Sequence, residues 1–252
     1  SITAVGMNAL APSVQRGRLT PLLDSARRNI EGFDASGFVV KTRAQRETLL
    51  ARRAGGPQSK WYELEELLAV ADTTTVRRQI AKSRLVVVHS IQIDKAGEAG
   101  HGLAIFPAEL RRIVTAWERL REAGVRQFVI SSDHGFLLRQ TDDPVIVHGR
   151  FKDTAPRYVL YPKLVVDSTQ LGLSLRTLGY EGAEEAIQMP RGLAVFQSGR
   201  DRKFVHGGNS PQERVIPVLT IIHKQAVGSD DQRYRIELEG EVGGPTSHQL
   251  KA

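Results

Sequence analysis

Val125-Arg126-Gln127-Phe128-Val129-Ile130-Ser131-Ser132-Asp133-His134-Gly135 is the stretch on which the fold reading turns. Val125 to Ile130 predicts a buried strand, and it runs directly into Ser131-Ser132-Asp133-His134-Gly135. Just upstream, Pro107 to Ala123 reads as a strong helix. Pro107 stands at its start, Leu110, Ile113, Val114, Trp117 and Leu120 form an apolar stripe, and Gly124 stops it. Before that helix lies Leu85-Val86-Val87-Val88, a second continuous apolar run that predicts a strand buried on both faces. Strand, helix, strand in this order is a βαβ crossover and implies a parallel sheet.

Working outward, Gly192 to Phe196 and Val215 to Ile222 predict further core strands. Trp61 to Ala71 predicts a helix with Leu64, Leu67 and Leu68 on one face, and Gly6 to Leu10 a shorter helical stretch. Arg233 to Glu239 alternates polar and apolar residues (Tyr234, Ile236, Leu238), as a half-exposed strand does, and a separate β-rich piece is expected from about Gly228. The expected organisation is an α/β catalytic domain over residues 1–226, with 11–83 as an insertion or cap and 227–252 as the start of a β-rich accessory segment. The opening Ser1-Ile2-Thr3, without an initiator Met, reads as part of a longer protein.

Composition narrows the chemistry. With no Cys, disulfides and thiolate metal sites are excluded, so a metal site would use His and carboxylates. No apolar run has bilayer-spanning length and no signal pattern opens the chain, so no membrane association and a cytoplasmic location are the default expectation. Lys and Arg number 35 against 28 Asp and Glu, a formal charge of +7. That surplus favours a polyanionic partner such as nucleic acid, against the plainer reading of solvated helix faces.

Open parallel sheets place functional residues just beyond the carboxyl ends of strands. Three such places carry ligand-type side chains. The first strand ends at His89 and is followed by a loop bearing Asp94, Glu98 and His101 among Gly97, Gly100 and Gly102. The second runs into Asp133-His134-Gly135, and a third is His206-Gly207-Gly208. Two cations about 4 Å apart clamp the attacking and leaving oxygens of an in-line displacement on phosphorus, and such pairs are held by carboxylates and imidazoles. Taken singly, each element has a plainer reading: a capped turn for Asp133-His134-Gly135, solvated loop acids for Asp94 and Glu98, a surface His at position 206.

Val129 to Gly135 resembles the strand-plus-Asp-His-Gly signature of the alkaline phosphatase superfamily. Within it, Phe204-Val205-His206-Gly207-Gly208-Asn209-Ser210-Pro211-Gln212-Glu213, continuing to Ile216-Pro217, is similar to the closing motif of PglZ domains. Ser1 to Leu10 resembles the PglZ segment that carries the nucleophile, and Ile93 to Glu98 a fourth PglZ motif. The resemblance implies a three-layer alkaline-phosphatase-like core with a mostly parallel sheet. It implies Thr3 as nucleophile, Asp133 and His134 as ligands of one metal, and Asp94 and His206 as ligands of a second. Related enzymes place a His four residues after the Asp that matches Asp94. Here Glu98 stands there, so Glu98 or, alternatively, His101 would complete the shell. Two divalent ions, Zn or Mn, are implied as cofactors.

The implied function is a metal-dependent phosphodiesterase or nuclease of a BREX-type phage-defence system. Its implied partners are nucleic acid and proteins of the same system, a DNA methyltransferase among them. Two alternatives stand beside it: a catalytically weak or inactive scaffold module of the defence complex, and a phosphomonoesterase. The superfamily's further metal-binding Asp, upstream of the nucleophile, has no counterpart in this sequence, and that motivates the scaffold alternative.

Overall fold

The structure is a computed structural model that describes residues 2–10, 19–26, 29–35, 37–53, 58–100, 102–140, 143–147, 155–182, 185–197, 202–223, 236–238 and 246–248. The chain opens with helix α1 (Ile2–Leu10), then strands β1 (Thr20–Leu23), β2 (Ile30–Ala35) and β3 (Phe38–Val40), helix α2 (Arg43–Arg53) and strand β4 (Ser59–Glu63). Helices α3 (Leu64–Ala69) and α4 (Thr73–Ile80) lead to β5 (Leu85–His89), α5 (Gln92–Glu98), α6 (Phe106–Glu122) and β6 (Gln127–Ile130). Short strands follow: β7 (Leu137–Leu138), β8 (Val145–Ile146), β9 (Val159–Tyr161), β10 (Gln170–Ser174), β11 (Ala186–Pro190), β12 (Val195–Phe196) and β13 (Phe204–Val205). The last elements are α7 (Pro211–Arg214), β14 (Leu219–Ile222), β15 (Ile236–Leu238) and β16 (Thr246–His248).

Both halves of the expected crossover form, yet their strands do not pair with each other. β5 pairs in parallel with β4, from Ser59 opposite Leu85 to Glu63 opposite His89. β6 instead pairs antiparallel with β14, from Ile130 opposite Leu219 to Gln127 opposite Ile222. The described residues form sheets of two or three strands, and the parallel pairs are β4–β5 and β8–β12. A large, mostly parallel sheet is therefore not evident. What joins the crossover is a shared core: Tyr62, Leu64, Leu67, Val76, Ile80, Ala116, Leu120, Ala123 and Phe128 cluster, with Val86, Val88 and Ile221 packed against them. Leu67 and Val76 are fully buried, and truncating Leu67 to Ala would cost about 2–5 kcal/mol.

Three local expectations need correction. The helix expected from Trp61 begins only at Leu64, because Glu63 and Glu66 form a capping box (Glu63 N–H to Glu66 Oε2, 2.9 Å) and Trp61-Tyr62 pair with Val87-Val88. The stripe of α6 is shifted in part: Ile113, Trp117 and Leu120 pack into the core as expected, but Leu110 and Val114 are exposed and Glu109 and Ala116 are buried in addition. The cause is polar, since the Ser90 hydroxyl donates to Glu109 and draws it inward. β5 is half-buried rather than buried on both faces, with Leu85 exposed.

A second core, Ile30, Phe33, Leu160 and Leu175, joins β2 to β9 and receives Val5 of α1. With Met7 also buried, this fixes the helix that carries Thr3. Gly6 allows the approach, since a Cβ there would overlap the Asp133 carbonyl oxygen.

Candidate active site

Five elements converge. β5 ends at His89, and the chain passes through Ser90 into α5, whose Asp94 and Glu98 lie one turn apart on one face. Gly97, between them, sits directly on the Phe204 ring, where a Cβ would overlap the ring carbons. That contact brings α5 down onto β13, whose end delivers His206. β6 ends in Asp133-His134, and α1 lays Thr3 alongside.

The centre of the cluster is His134. Its Nδ1 lies 3.1 Å from the Gly135 carbonyl oxygen, which can only accept, so Nδ1 donates there and Nε2 is turned toward the cluster. That Nε2 is 3.3 Å from Thr3 Oγ1 and 3.6 Å from both Asp94 Oδ2 and Asp133 Oδ2. The His206 ring stacks on it at 4.3 Å between centroids, and His206 Nε2 is 3.8 Å from Glu98 Oε1. Thr3, Asp94, Glu98, Asp133, His134 and His206 thus form one cluster, while His101 lies outside the described residues. Behind it, Phe106, Phe136 and Phe204 form an aromatic wall with centroids 5.4 and 4.6 Å apart.

Burial against this wall governs the charges. It pushes His206 down to about 4, helped by the adjacent His134 and opposed by Glu98. The imidazole is therefore neutral near pH 7, with a buried Nδ1 that has no hydrogen-bond partner among the described residues. Burial raises Asp94 above the ordinary carboxylate range, partly offset by His134. It also lowers His89, with Arg43 acting in the same direction.

An imidazole nitrogen flanked by two carboxylates is the donor set of a divalent-cation site, and His206 beside Glu98 is a second imidazole–carboxylate pair. Among the described residues, however, no group of three or more His, Cys, Asp or Glu side chains is arranged to hold a metal ion as it stands. The donor types fit and the shell is not closed.

The loop bearing His206 is anchored by a buried ion pair. Arg157, fully buried, donates from Nε to Glu213 Oε1 (2.9 Å) and from Nη2 to Glu213 Oε2 (2.6 Å). It also donates to the Gly192 (2.9 Å) and Ala194 carbonyls. Glu213 accepts from Gly208 N–H at 2.8 Å and from the Ser210 hydroxyl at 2.6 Å, tying both sides of the loop to α7. The Glu213 backbone carbonyl accepts from Gly135 N–H at 3.0 Å, joining this anchor to His134. Glu213 was legible as the last residue of the Ser-x-x-Glu capping pattern at 210–213, but its ion pair was not. Arg157 carries no local signal at all.

Sequence reading also missed the far wall. α2 brings Arg46 into the electrostatic neighbourhood of Asp133 and His89. His89 Nδ1 is 3.6 Å from Glu63 Oε2, and Arg43 bridges Glu63 and Glu47, the latter at 2.7 Å. His89 was marked as a strand end; nothing local signals Arg46.

The model of the BREX system PglZ alkaline phosphatase-like domain matches residues 1–221 of this chain. The chain belongs to the PglZ family. The PglZ match spans every residue of the cluster, from Thr3 on α1 to His206 and Glu213. Membership makes the domain alkaline phosphatase-like, hence α/β in class, and ties it to a phosphoesterase-like, defence-related role in BREX systems. No curated protein matches the chain. Among the described residues, no helix of this PglZ domain is long and apolar enough to cross a membrane.

Proposed function

We propose that this PglZ domain is a metal-dependent phosphoester hydrolase, acting as a phosphodiesterase or nuclease on nucleic acid within a BREX defence complex. The observation that carries the reading is Thr3 Oγ1 at 3.3 Å from His134 Nε2, flanked by Asp94 and Asp133. With its Nδ1 proton committed to the Gly135 carbonyl, His134 turns Nε2, the nitrogen that would hold a metal ion, toward the Thr3 hydroxyl. This orients Thr3 Oγ1 for attack on phosphorus. Attack forms the Thr3 Oγ–P bond as the hydroxyl proton is lost and the bond to the leaving oxygen breaks, that oxygen departing as an alcohol. Water then cleaves the Oγ–P bond, releasing the phosphate product and restoring the Thr3 hydroxyl. Asp133 and His134, and Asp94, His206 and Glu98, are the residues that would hold two divalent ions, Zn or Mn. Bound there, the ions would neutralise the phosphoryl oxygens and favour the ionised nucleophile.

The formal charge of +7 supports a polyanionic substrate, met in the cytoplasm together with partners such as the system's DNA methyltransferase. The test is metal content by elemental analysis of purified protein and of Asp133→Ala, with hydrolysis of a phosphodiester assayed in parallel. Near two equivalents of Zn or Mn, falling in the variant, with hydrolysis lost, supports the reading. No bound metal after loading, together with no hydrolysis, overturns it. A preference for monoesters would instead make it a phosphomonoesterase.

A second reading is a non-catalytic scaffold in the same complex, favoured by the unclosed ligand shell among the described residues. It fails if Thr3→Ala abolishes defence while the complex still assembles.

A further inference from the structure

The segment expected as an insertion or cap contributes α2, and α2 packs along β3 and β4. Its first turn is pinned. Arg43 is held by Glu47 at 2.7 Å and by Glu63, with its guanidinium 5.8 Å from the centre of the Trp61 ring. Arg46 follows three residues later, hence on the same side of the helix and about one turn further along.

Arg46 differs from the other arginines of this region. Arg119 donates to the carbonyls of Leu67, Leu68 and Val70, Arg112 to Glu65, and Arg77 to the Glu122 carbonyl. Arg46 is half-buried, and its Nε is buried without a hydrogen-bond partner among the described residues. One turn away, the Glu63 that holds Arg43 has its carboxylate 3.6 Å from His89 at the end of β5, and the charge of Asp133 acts on Arg46 against the lowering of its pKa by burial. A guanidinium presents donors in a fixed planar fork suited to the oxygens of a phosphate.

We propose that Arg46 is a substrate-binding residue that donates to a non-bridging oxygen of the phosphoester, an inference that rests on the hydrolase reading above. The chemistry selects an anion for this position. A buried guanidinium Nε can only donate, and a phosphoryl oxygen would satisfy it. α2 thereby becomes the specificity element of the domain, and the inserted segment acquires a role in the reaction.

The experiment uses Arg46→Gln and Arg46→Lys. Arg52→Gln, on the same helix with its guanidinium over the Phe38 ring at 4.7 Å, is the control. Hydrolysis of bis(p-nitrophenyl) phosphate, inhibition by inorganic phosphate and calorimetric binding of inorganic phosphate are measured on metal-loaded protein. Metal content and urea midpoint are measured for each. Arg46→Gln is expected to raise KM and weaken inorganic phosphate about 10–100-fold, as loss of a charge-assisted hydrogen bond to an anion does. Arg46→Lys should recover part of this, with metal content and urea midpoint unchanged and the control like wild type. Unchanged KM and phosphate binding in an active enzyme would overturn the inference alone. So would a fall in metal content or midpoint without a KM change, which would make Arg46 the counter-ion of Asp133. If wild type hydrolyses nothing but binds phosphate through Arg46, the hydrolase reading fails and the anion site stands. If it neither hydrolyses nor binds phosphate, both fail.

Discussion

Arg157→Met removes the guanidinium that anchors the His206 loop and keeps most of its volume. In the native chain Arg157 and Glu213 are both buried and joined by two hydrogen bonds of 2.9 and 2.6 Å. Burial pushes the Glu213 carboxyl upward, but hydrogen bonds from Arg157 and Ser210, together with the Arg157 charge, outweigh it and hold it below the usual range. After substitution the carboxylate keeps the Gly208 and Ser210 donors and loses its counter-ion, while the Gly192 and Ala194 carbonyls lose a donor. Breaking a buried pair on one side costs about 3–5 kcal/mol. The retained donors place the expected value at the lower end, about 3 kcal/mol, which at this chain length lowers Tm by about 6–12 °C. Equilibrium urea unfolding read by circular dichroism gives the number. A loss below about 1 kcal/mol would refute the view that this pair, rather than the surrounding apolar contacts, holds the loop.

Gly97→Ala should push α5 off Phe204, costing about 1–3 kcal/mol and lowering metal content by moving Asp94 and Glu98; an unchanged urea midpoint counts against the packing described. Thr3→Ala should reduce phosphodiester hydrolysis to background with metal content and Tm retained, and residual turnover near wild type would remove Thr3 from its role. In chelator-treated protein, His206 titrates near 4 when folded and near 6.5 when unfolded. The unfolded chain therefore binds more protons between those values, so stability present above about pH 6.5 is lost as pH falls towards 4. The loss is at most about 3 kcal/mol, and His206→Asn should flatten the pH dependence of the unfolding midpoint. Chelation of the active enzyme should abolish hydrolysis, and Zn or Mn should restore it.

What the sequence disclosed was local. β6 with its Asp-His-Gly end, the Pro-started and Gly-stopped α6, and the β5 run each depend on neighbours within a few residues, and each forms close to its expected place. What it withheld was pairing. The partner of β6 lies at residues 219–222 and that of β5 at 59–63, and an apolar run does not say which other run it will meet. Trp61-Tyr62 shows the competition, because aromatic residues before a Leu-rich helix satisfy a helical stripe until a parallel ladder claims them. The cluster was legible wherever a ligand-type residue ended a strand. Arg46 and Arg157 escaped because their roles exist only through burial beside residues 87 and 56 positions away, Asp133 and Glu213.

The cluster's own charge bears on how an anion could enter it. Asp94, Glu98 and Asp133 set three carboxylates against the single guanidinium of Arg46, and His206 adds no charge near pH 7 because burial holds it near 4. A phosphodiester approaching this arrangement alone meets net repulsion at short range, whatever attraction the chain's overall +7 provides at a distance. Much of that overall charge is also turned inward, as with Arg119 on the α3 carbonyls and Arg157 on Glu213. On the proposed reading, hydrolysis at this place would draw on cations beyond those the side chains supply, with Arg46 orienting a phosphate without balancing three carboxylates. Inorganic phosphate should accordingly bind chelator-treated protein at least tenfold more weakly than metal-loaded protein even with Arg46 intact. Equal affinity would mean that the carboxylates are neutralised by protons and that the cluster is not a metal centre.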